Sequence, residues 1–338
     1  MLRRLKLRKI PMFLALFILA SVIFTLPGLF SDTVSAPYAD IGSDGSVSSG
    51  PVDHPETAID TEQPDDPAVS DQPDEFPAVY EGNDFITVHM DITDISIGAL
   101  LLINSDHIYE IPDESDYITI NELRTISYRA ANNSMLLSAS VIEPLNNMMD
   151  AFYAETGSDS VFVISAFRDY EKQRETLNEY IALVGHGEAL KWAALPGHSE
   201  HQSGLAVDFG VFSEGALRTF PGTGVNAWFT ENCYKFGFVL RFPDYKTDVT
   251  GTAGEPWHFR YTGEPHAYLM YENDWCLEEY IDILRQYTFD EPYSVTYCKD
   301  DYEIYFTGDT DIPIPFDCEI DISGNNVDGF IVTLKFQH

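Results

Sequence analysis

Two apolar segments, far apart in the chain, each break their own pattern at polar positions, and this pair constrains the fold more than any other feature. "GLAVDFG" spans Gly204 to Gly210 and "EPWHFRY" spans Glu255 to Tyr261. A strand turns successive side chains to opposite faces. In the first segment Leu205, Val207 and Phe209 therefore share one face, leaving Ala206 and Asp208 on the other. In the second, Trp257, Phe259 and Tyr261 fall together, and His258 and Arg260 point the opposite way. Each strand thus offers polar side chains from an otherwise apolar stretch, and His201, in the turn before Asp208, is placed to meet them.

Two imidazoles and a carboxylate make a suitable shell for one Zn²⁺, with three protein ligands and a fourth position open to water. Glu255 lies three residues before His258. That places a carboxylate beside the metal without ligating it, where it can take a proton from water whose pKa such a metal lowers to roughly 7. With Asp208 ionised the site keeps positive charge, which polarises a carbonyl. The implied reaction is metal-assisted hydrolysis. Taken singly, His258 reads as a core histidine and Glu255, before Pro256, as a loop carboxylate; their combination with His201 and Asp208 carries the argument. His198 is read as a solvent-exposed turn residue and His266 as structural.

Charge narrows the partners. The 338 residues hold 19 basic and 55 acidic side chains, a net charge of −36, and such a surface repels phosphate backbones, which argues against nucleic acid. Arg3, Arg4, Lys6, Arg8 and Lys9 precede an almost unbroken apolar run from Met12 to Phe30. Its length approaches the ~20 residues that span a bilayer. An uncleaved anchor with its basic end in the cytoplasm is favoured over a cleaved signal, since Pro37 follows the small-residue stretch Val34-Ser35-Ala36. Either way, the remainder is expected outside the cytoplasm. From Pro37 to about Gly82 acidic residues, Ser, Pro and Gly dominate, the composition of a solvated linker. The four cysteines contain no C-x-x-C pair, which argues against a thiolate zinc site. They are read either as free thiols or as disulfides, with Cys298–Cys318 and Cys233–Cys276 favoured by proximity in the chain.

Between these ends, strands and helices mix without regular βαβ alternation, so the fold class is α+β. Short strands with a turn near Asn104 are expected over Asp84 to Tyr109. A helix capped by Ser140 and Glu143 and ending at Gly157 follows, then a buried strand from Val161 to Ser165 and a helix after "SAFRDYEKQ". Further helices are read around Trp192, at Trp228 and Phe229, and over "CLEEYIDILRQY". The last fifty residues alternate apolar and polar positions between turns at Thr307-Gly308-Asp309 and Gly324-Asn325-Asn326, as a small β appendage would.

"SEHQSGLAVD" and "EPWHFRY" resemble the S-x-H-x-x-G-x-A-x-D and E-x-W-H signatures of the VanY-type D-alanyl-D-alanine carboxypeptidases, peptidase family M15B. "SAFRDYEKQ" and "FGFVLRFP" stand in the expected order, and the resemblance runs from about Ile95 to Tyr287. It implies a Hedgehog/D,D-peptidase type fold, a mixed or antiparallel sheet with flanking helices. It also implies one zinc held by His201, Asp208 and His258, with Glu255 as general base. Arg168 would contribute to substrate or transition-state charge, and Gln173 and Ser199 would help hold the peptide. The residues independently favour Arg168, because a C-terminal carboxylate calls for a bidentate cation. This chain departs from the family at Ser165-Ala166-Phe167-Arg168, where S-G-Y-R is frequent, and at Arg241-Phe242-Pro243, where many members have R-Y-P.

The expected organisation is a membrane anchor over 1–30, an acidic linker over 31–82, a zinc carboxypeptidase domain over 83–287 and the β appendage over 288–338. The expected activity is removal of the C-terminal D-alanine from peptidoglycan stem peptides, at the outer face of the cell membrane. An L,D-carboxypeptidase acting on tetrapeptide stems is the alternative within the enzyme class. A zinc-containing module that binds cell wall without cutting it is the alternative outside that class.

Overall fold

The strand that carries Asp208, Ala206–Ser213, lies in the middle of a six-stranded sheet in the computed structural model, which describes residues 85–112 and 116–337. The order across the sheet is Arg129–Ala130, Val161–Ser165, Ala206–Ser213, His258–Tyr261, Phe238–Leu240, and Ala216–Thr219 pairs along the far half of the central strand. The first pair is parallel and the others are antiparallel, so the sheet is mixed. Asp208 sits directly opposite His258, and Ala206 opposite Arg260. The period-two reading of both segments therefore holds, and the two polar faces are one face.

The other face of these strands is aromatic. Phe209 packs against Phe220, Phe229 and Phe259 with ring centroids 5.8, 5.1 and 5.2 Å apart, and all four are fully buried. Helix Ala139–Thr156 closes this core with Val141, Ile142, Leu145, Met148, Met149 and Phe152, a 3.6-residue stripe. It ends where Gly157 adopts φ 69°, the left-handed conformation glycine reaches without strain. Its start differs from expectation. Ser138 is the N-cap and its side chain bonds Ser140 rather than the helix backbone, so no Ser140–Glu143 capping box forms.

The segment after strand Phe85–His89 also differs. A 3-10 turn over Ile92–Ser96 is followed by irregular chain instead of further strands. Its backbone groups find other partners: Arg260 donates to the carbonyls of Ala99 and Leu101, Asn326 to those of Leu102 and Ile108, and Leu100 N–H bonds Ser323. Buried apolar residues with β character need strand pairing only when nothing else satisfies their backbone. The turn near Asn104 is present, built by its side chain accepting from the N–H groups of Asp106 and His107.

Residues Tyr293–Tyr297, Asp300–Thr307, Phe330–Phe336 and Glu319–Gly324 form a four-stranded antiparallel sheet in that spatial order, while Asp311–Pro315 pairs with Phe85–His89. This sheet shares a core with helices His266–Glu272 and Leu277–Leu284, through Tyr268, Tyr280, Ile281 and Leu284 against Tyr297, Tyr302 and Ile304. All four cysteines are free thiols, so neither disulfide pairing favoured by chain proximity is formed. Among the described residues no helix is long and apolar enough to cross a membrane. The anchor and linker read from the sequence lie outside the described residues.

Candidate active site

The site is assembled where three backbone segments meet. The 3-10 helix Glu200–Ser203 carries His201 and ends at Gly204, φ 70°. A Cβ there would lie 2.7 Å from the Tyr117 ring and 3.0 Å from Ser138 N, so glycine both permits the turn and the close approach. The chain then enters the central strand, which brings Asp208 back under His201. Strand His258–Tyr261 supplies the third side chain from the opposite register position.

The turn Ser165–Arg168 fixes His201 twice. Ala166 C=O accepts from His201 Nδ1 at 2.7 Å, and Arg168 N–H donates to His201 C=O at 3.1 Å. Burial, reinforced by the Arg168 charge, lowers His201 to about 4. The ring is therefore neutral with its proton on Nδ1, and Nε2 offers a lone pair. That buried Nε2 has no hydrogen-bond partner, yet it stands 3.1 Å from Asp208 Oδ2. Two acceptors face each other, an arrangement a cation satisfies.

His258 lies edge-on to His201, ring centroids 5.0 Å apart and planes at 85°. Its Nδ1 is 2.9 Å from Asp208 Oδ1 and 3.8 Å from Glu255 Oε2, and its Nε2 is 3.2 Å from Glu200 Oε2. Burial opposes charge on this ring, but its hydrogen bonds to Asp208 and Glu200 outweigh that and raise it to about 9. One ligand atom from each of His201, Asp208 and His258 lies within 4.8 Å of the others. Two nitrogens and a carboxylate oxygen, all deprotonatable and convergent, fit a divalent metal of borderline softness.

Glu255 is buried beside this group. Burial, together with the Asp208 charge and against that of His258, raises its carboxyl to about 7. Arg168 lies within electrostatic reach of the same group: burial lowers its pKa, opposed by the charges of Asp208 and Glu255, and its Nε is buried without a hydrogen-bond partner. Tyr180, on helix Tyr170–Val184, also lies within electrostatic reach of Glu255, Asp208 and Arg168, which the sequence did not reveal because a tyrosine on an amphipathic helix reads as core. Gln173 is buried on the same helix; its amide donates to Ala194 C=O, and its Oε1 has no partner. Ser199 is the buried N-cap residue just before the 3-10 helix and makes no capping bond with its side chain.

The structure therefore brings His201, Asp208, His258 and Glu255 together, with Arg168 in electrostatic range. His198 is half-buried and bonds Asn104 C=O at 2.8 Å, which corrects its expected exposure: residues 104 and 198 meet only in the folded chain. His266 is structural, held between Tyr280 Oη and Thr333 Oγ1. Phe242, where many members of the family have tyrosine, packs on His258 with ring centroids 5.0 Å apart. A separate groove of about 620 Å³ lies between helix Ala139–Thr156 and the C-terminal sheet, and no predicted site residue lines it.

Comparison with known proteins agrees with this geometry. Residues 134–264, which include the metal-fitting triad and Glu255, match the VanY family, described as D-alanyl-D-alanine carboxypeptidase. The D-alanyl-D-alanine carboxypeptidase of Enterococcus faecium is 34% identical over 244 residues, 70% of this chain and 75% of that protein. The protein of the same name from Enterococcus faecalis strain ATCC 700802 / V583 is 36% identical over 195 residues, 54% of this chain and 66% of that one. Among solved structures, the vancomycin-resistance D,D-dipeptidase VanXYg, in complex with a D-Ala-D-Ala phosphinate analogue, superposes with a TM-score of 0.67 at 31% identity. That likeness covers 74% of this chain and 99% of VanXYg. Sequence likeness over three quarters of a relative's length (75% of that protein), with a shared fold, makes the conclusion plain: the chain belongs to the VanY family of D-alanyl-D-alanine carboxypeptidases.

Proposed function

We propose that this protein is a zinc-dependent carboxypeptidase that removes the terminal D-alanine from peptidoglycan stem peptides. The observation that carries the reading is the convergence of His201 Nε2, an unpartnered lone pair, with the Asp208 carboxylate and His258 Nδ1. Zn²⁺ held by these three residues supplies a Lewis acid that polarises the scissile carbonyl and lowers the pKa of water to about 7. Glu255, raised to about 7 by burial, suits a base that takes a proton as water attacks the carbonyl carbon. The same carboxyl returns that proton to the departing amine nitrogen as the C–N bond breaks. Arg168, with an unpartnered buried Nε, would pair the free carboxylate of the terminal residue. Gln173 and Ser199 would hold the peptide backbone.

The extracytoplasmic, membrane-tethered placement rests on the basic cluster and apolar run of residues 1–30, with 31–82 as the linker between bilayer and enzyme.

Glu255→Gln is expected to retain zinc and lose about 10²- to 10⁴-fold in turnover, the usual worth of a general acid–base group. His258→Ala is expected to lose both zinc and turnover. Metal content by atomic absorption, with mass spectrometry of defined stem peptides, measures each. Release of alanine from the pentapeptide but not the tetrapeptide supports D,D specificity. Full turnover by metal-free protein would overturn the reading.

A further inference from the structure

Both ring nitrogens of His258 meet carboxylates, and the second one, Glu200, belongs to no role assigned so far. Glu200 is 3% exposed. Its Oε2 faces His258 Nε2, while its Oε1 accepts from Arg241 Nε at 2.7 Å and Arg260 at 2.8 Å. Arg241 also grips Glu278 with two bonds of 2.9 and 2.6 Å, and Arg260 is anchored on the carbonyls of Ala99 and Leu101. Neither arginine can follow a moving Glu200, so its carboxylate is held in one orientation. Two acids and two arginines also balance in charge, so Glu200 reaches His258 without adding net negative charge to the site.

We propose that Glu200 is the positioning residue of His258: by holding the Nε2 proton, it directs the Nδ1 lone pair toward Asp208 and His201. This rests on the metal-site reading above. The two histidines would then present opposite ring nitrogens, each selected by its other hydrogen bond. Ala166 C=O selects Nε2 of His201, and Glu200 selects Nδ1 of His258. A carboxylate partner further raises the basicity of the ligating imidazole. An ion cluster that served stability alone would have no need to reserve Oε2 for the ring.

The test uses the full chain labelled with ¹⁵N-histidine and loaded with ¹¹³Cd. Coupling of cadmium to Nδ1 of His258 and Nε2 of His201, with His258 Nε2 protonated, is the expected result. Coupling to Nε2 of His258 would overturn the proposal. Glu200→Gln is expected to weaken cadmium and zinc affinity about 10- to 100-fold, as loss of such an outer partner does, and to shift the His258 Nε2–H resonance. A folded E200Q protein with unchanged affinity and unchanged His258 resonances would also overturn it. If E200Q fails to fold because two buried arginines lose their counter-charge, the wild-type coupling pattern decides alone. Failure of the wild-type chain to bind cadmium or zinc at all would instead sink the metal-site reading.

Discussion

Arg168 differs from the other arginines near the site in what it faces. Arg241 and Arg260 are neutralised together by Glu200 and Glu278, whereas Arg168 Nε is buried without a partner, and burial lowers the guanidinium against the pull of Asp208 and Glu255. A half-buried cation with an unpartnered Nε is stabilised by an arriving carboxylate, in the bidentate geometry that lysine lacks. Arg168→Lys is therefore expected to lower kcat/KM about 10- to 100-fold, the scale of a charge-assisted hydrogen bond, for peptides with a free C-terminus. Activity on the amidated peptide should change little. Steady-state kinetics on the two substrates measures this, and equal losses would show that Arg168 does not read the carboxylate. At this scale the signatures revealed the converging side chains well, because ligand chemistry restricts residue type. Glu200 stayed hidden, because its neighbour His201 carries the signature and its own partners Arg241 and Arg260 lie some forty and sixty positions along the chain.

Elements whose own periodicity matches their surroundings were legible. The helix Ala139–Thr156 buries the face its pattern indicates, and the strands bearing Asp208 and His258 put their polar residues together on one face as alternation indicates. The chain from 97 to 109 was not, because Arg260 and Asn326 replace the neighbouring strand that its composition suggests. Helix His266–Glu272 shows the same dependence on distant partners. Its first residue, His266, is buried between Tyr280 on the next helix and Thr333 on the C-terminal sheet, and burial lowers it to about 3. The unfolded chain binds a proton at this residue near pH 6.5, while the folded chain refuses it until about pH 3. The unfolded state thus holds more protons between these values, and stability falls as pH drops from about 6.5 toward 3. Above pH 6.5 the contribution is fully present. His266→Gln is expected to flatten the pH dependence of urea midpoints between pH 6.5 and 4. An unchanged slope would mean that His266 does not set it.

At the scale of the whole molecule, the C-terminal sheet and the peptidase region share buried surface. Tyr280, Ile281 and Leu284 lie on the helix just before Tyr287 and pack against Tyr297, Tyr302 and Ile304 beyond it. Glu278, which grips Arg241, is on that same helix. Exposing three large apolar side chains forfeits roughly 1.5–3 kcal/mol each, a large share of ordinary domain stability. A chain ending at Tyr287 is therefore expected to aggregate or melt far below the full chain; thermal unfolding by circular dichroism checks this. An equally stable, zinc-binding truncation would show that the sheet is separable. The sequence by itself determined the chemistry: which side chains alternate onto one face, and which residue types two imidazoles, a carboxylate and a nearby acid must be. Short-range periodicity and ligand preference are local properties, written in consecutive residues. Only the tertiary structure decided which ring nitrogen each histidine presents, where the Ala99–Leu101 backbone finds its donors, and how the last fifty residues join the core. Those outcomes depend on groups brought together by folding, and no local pattern encodes which distant partner a buried polar group will meet.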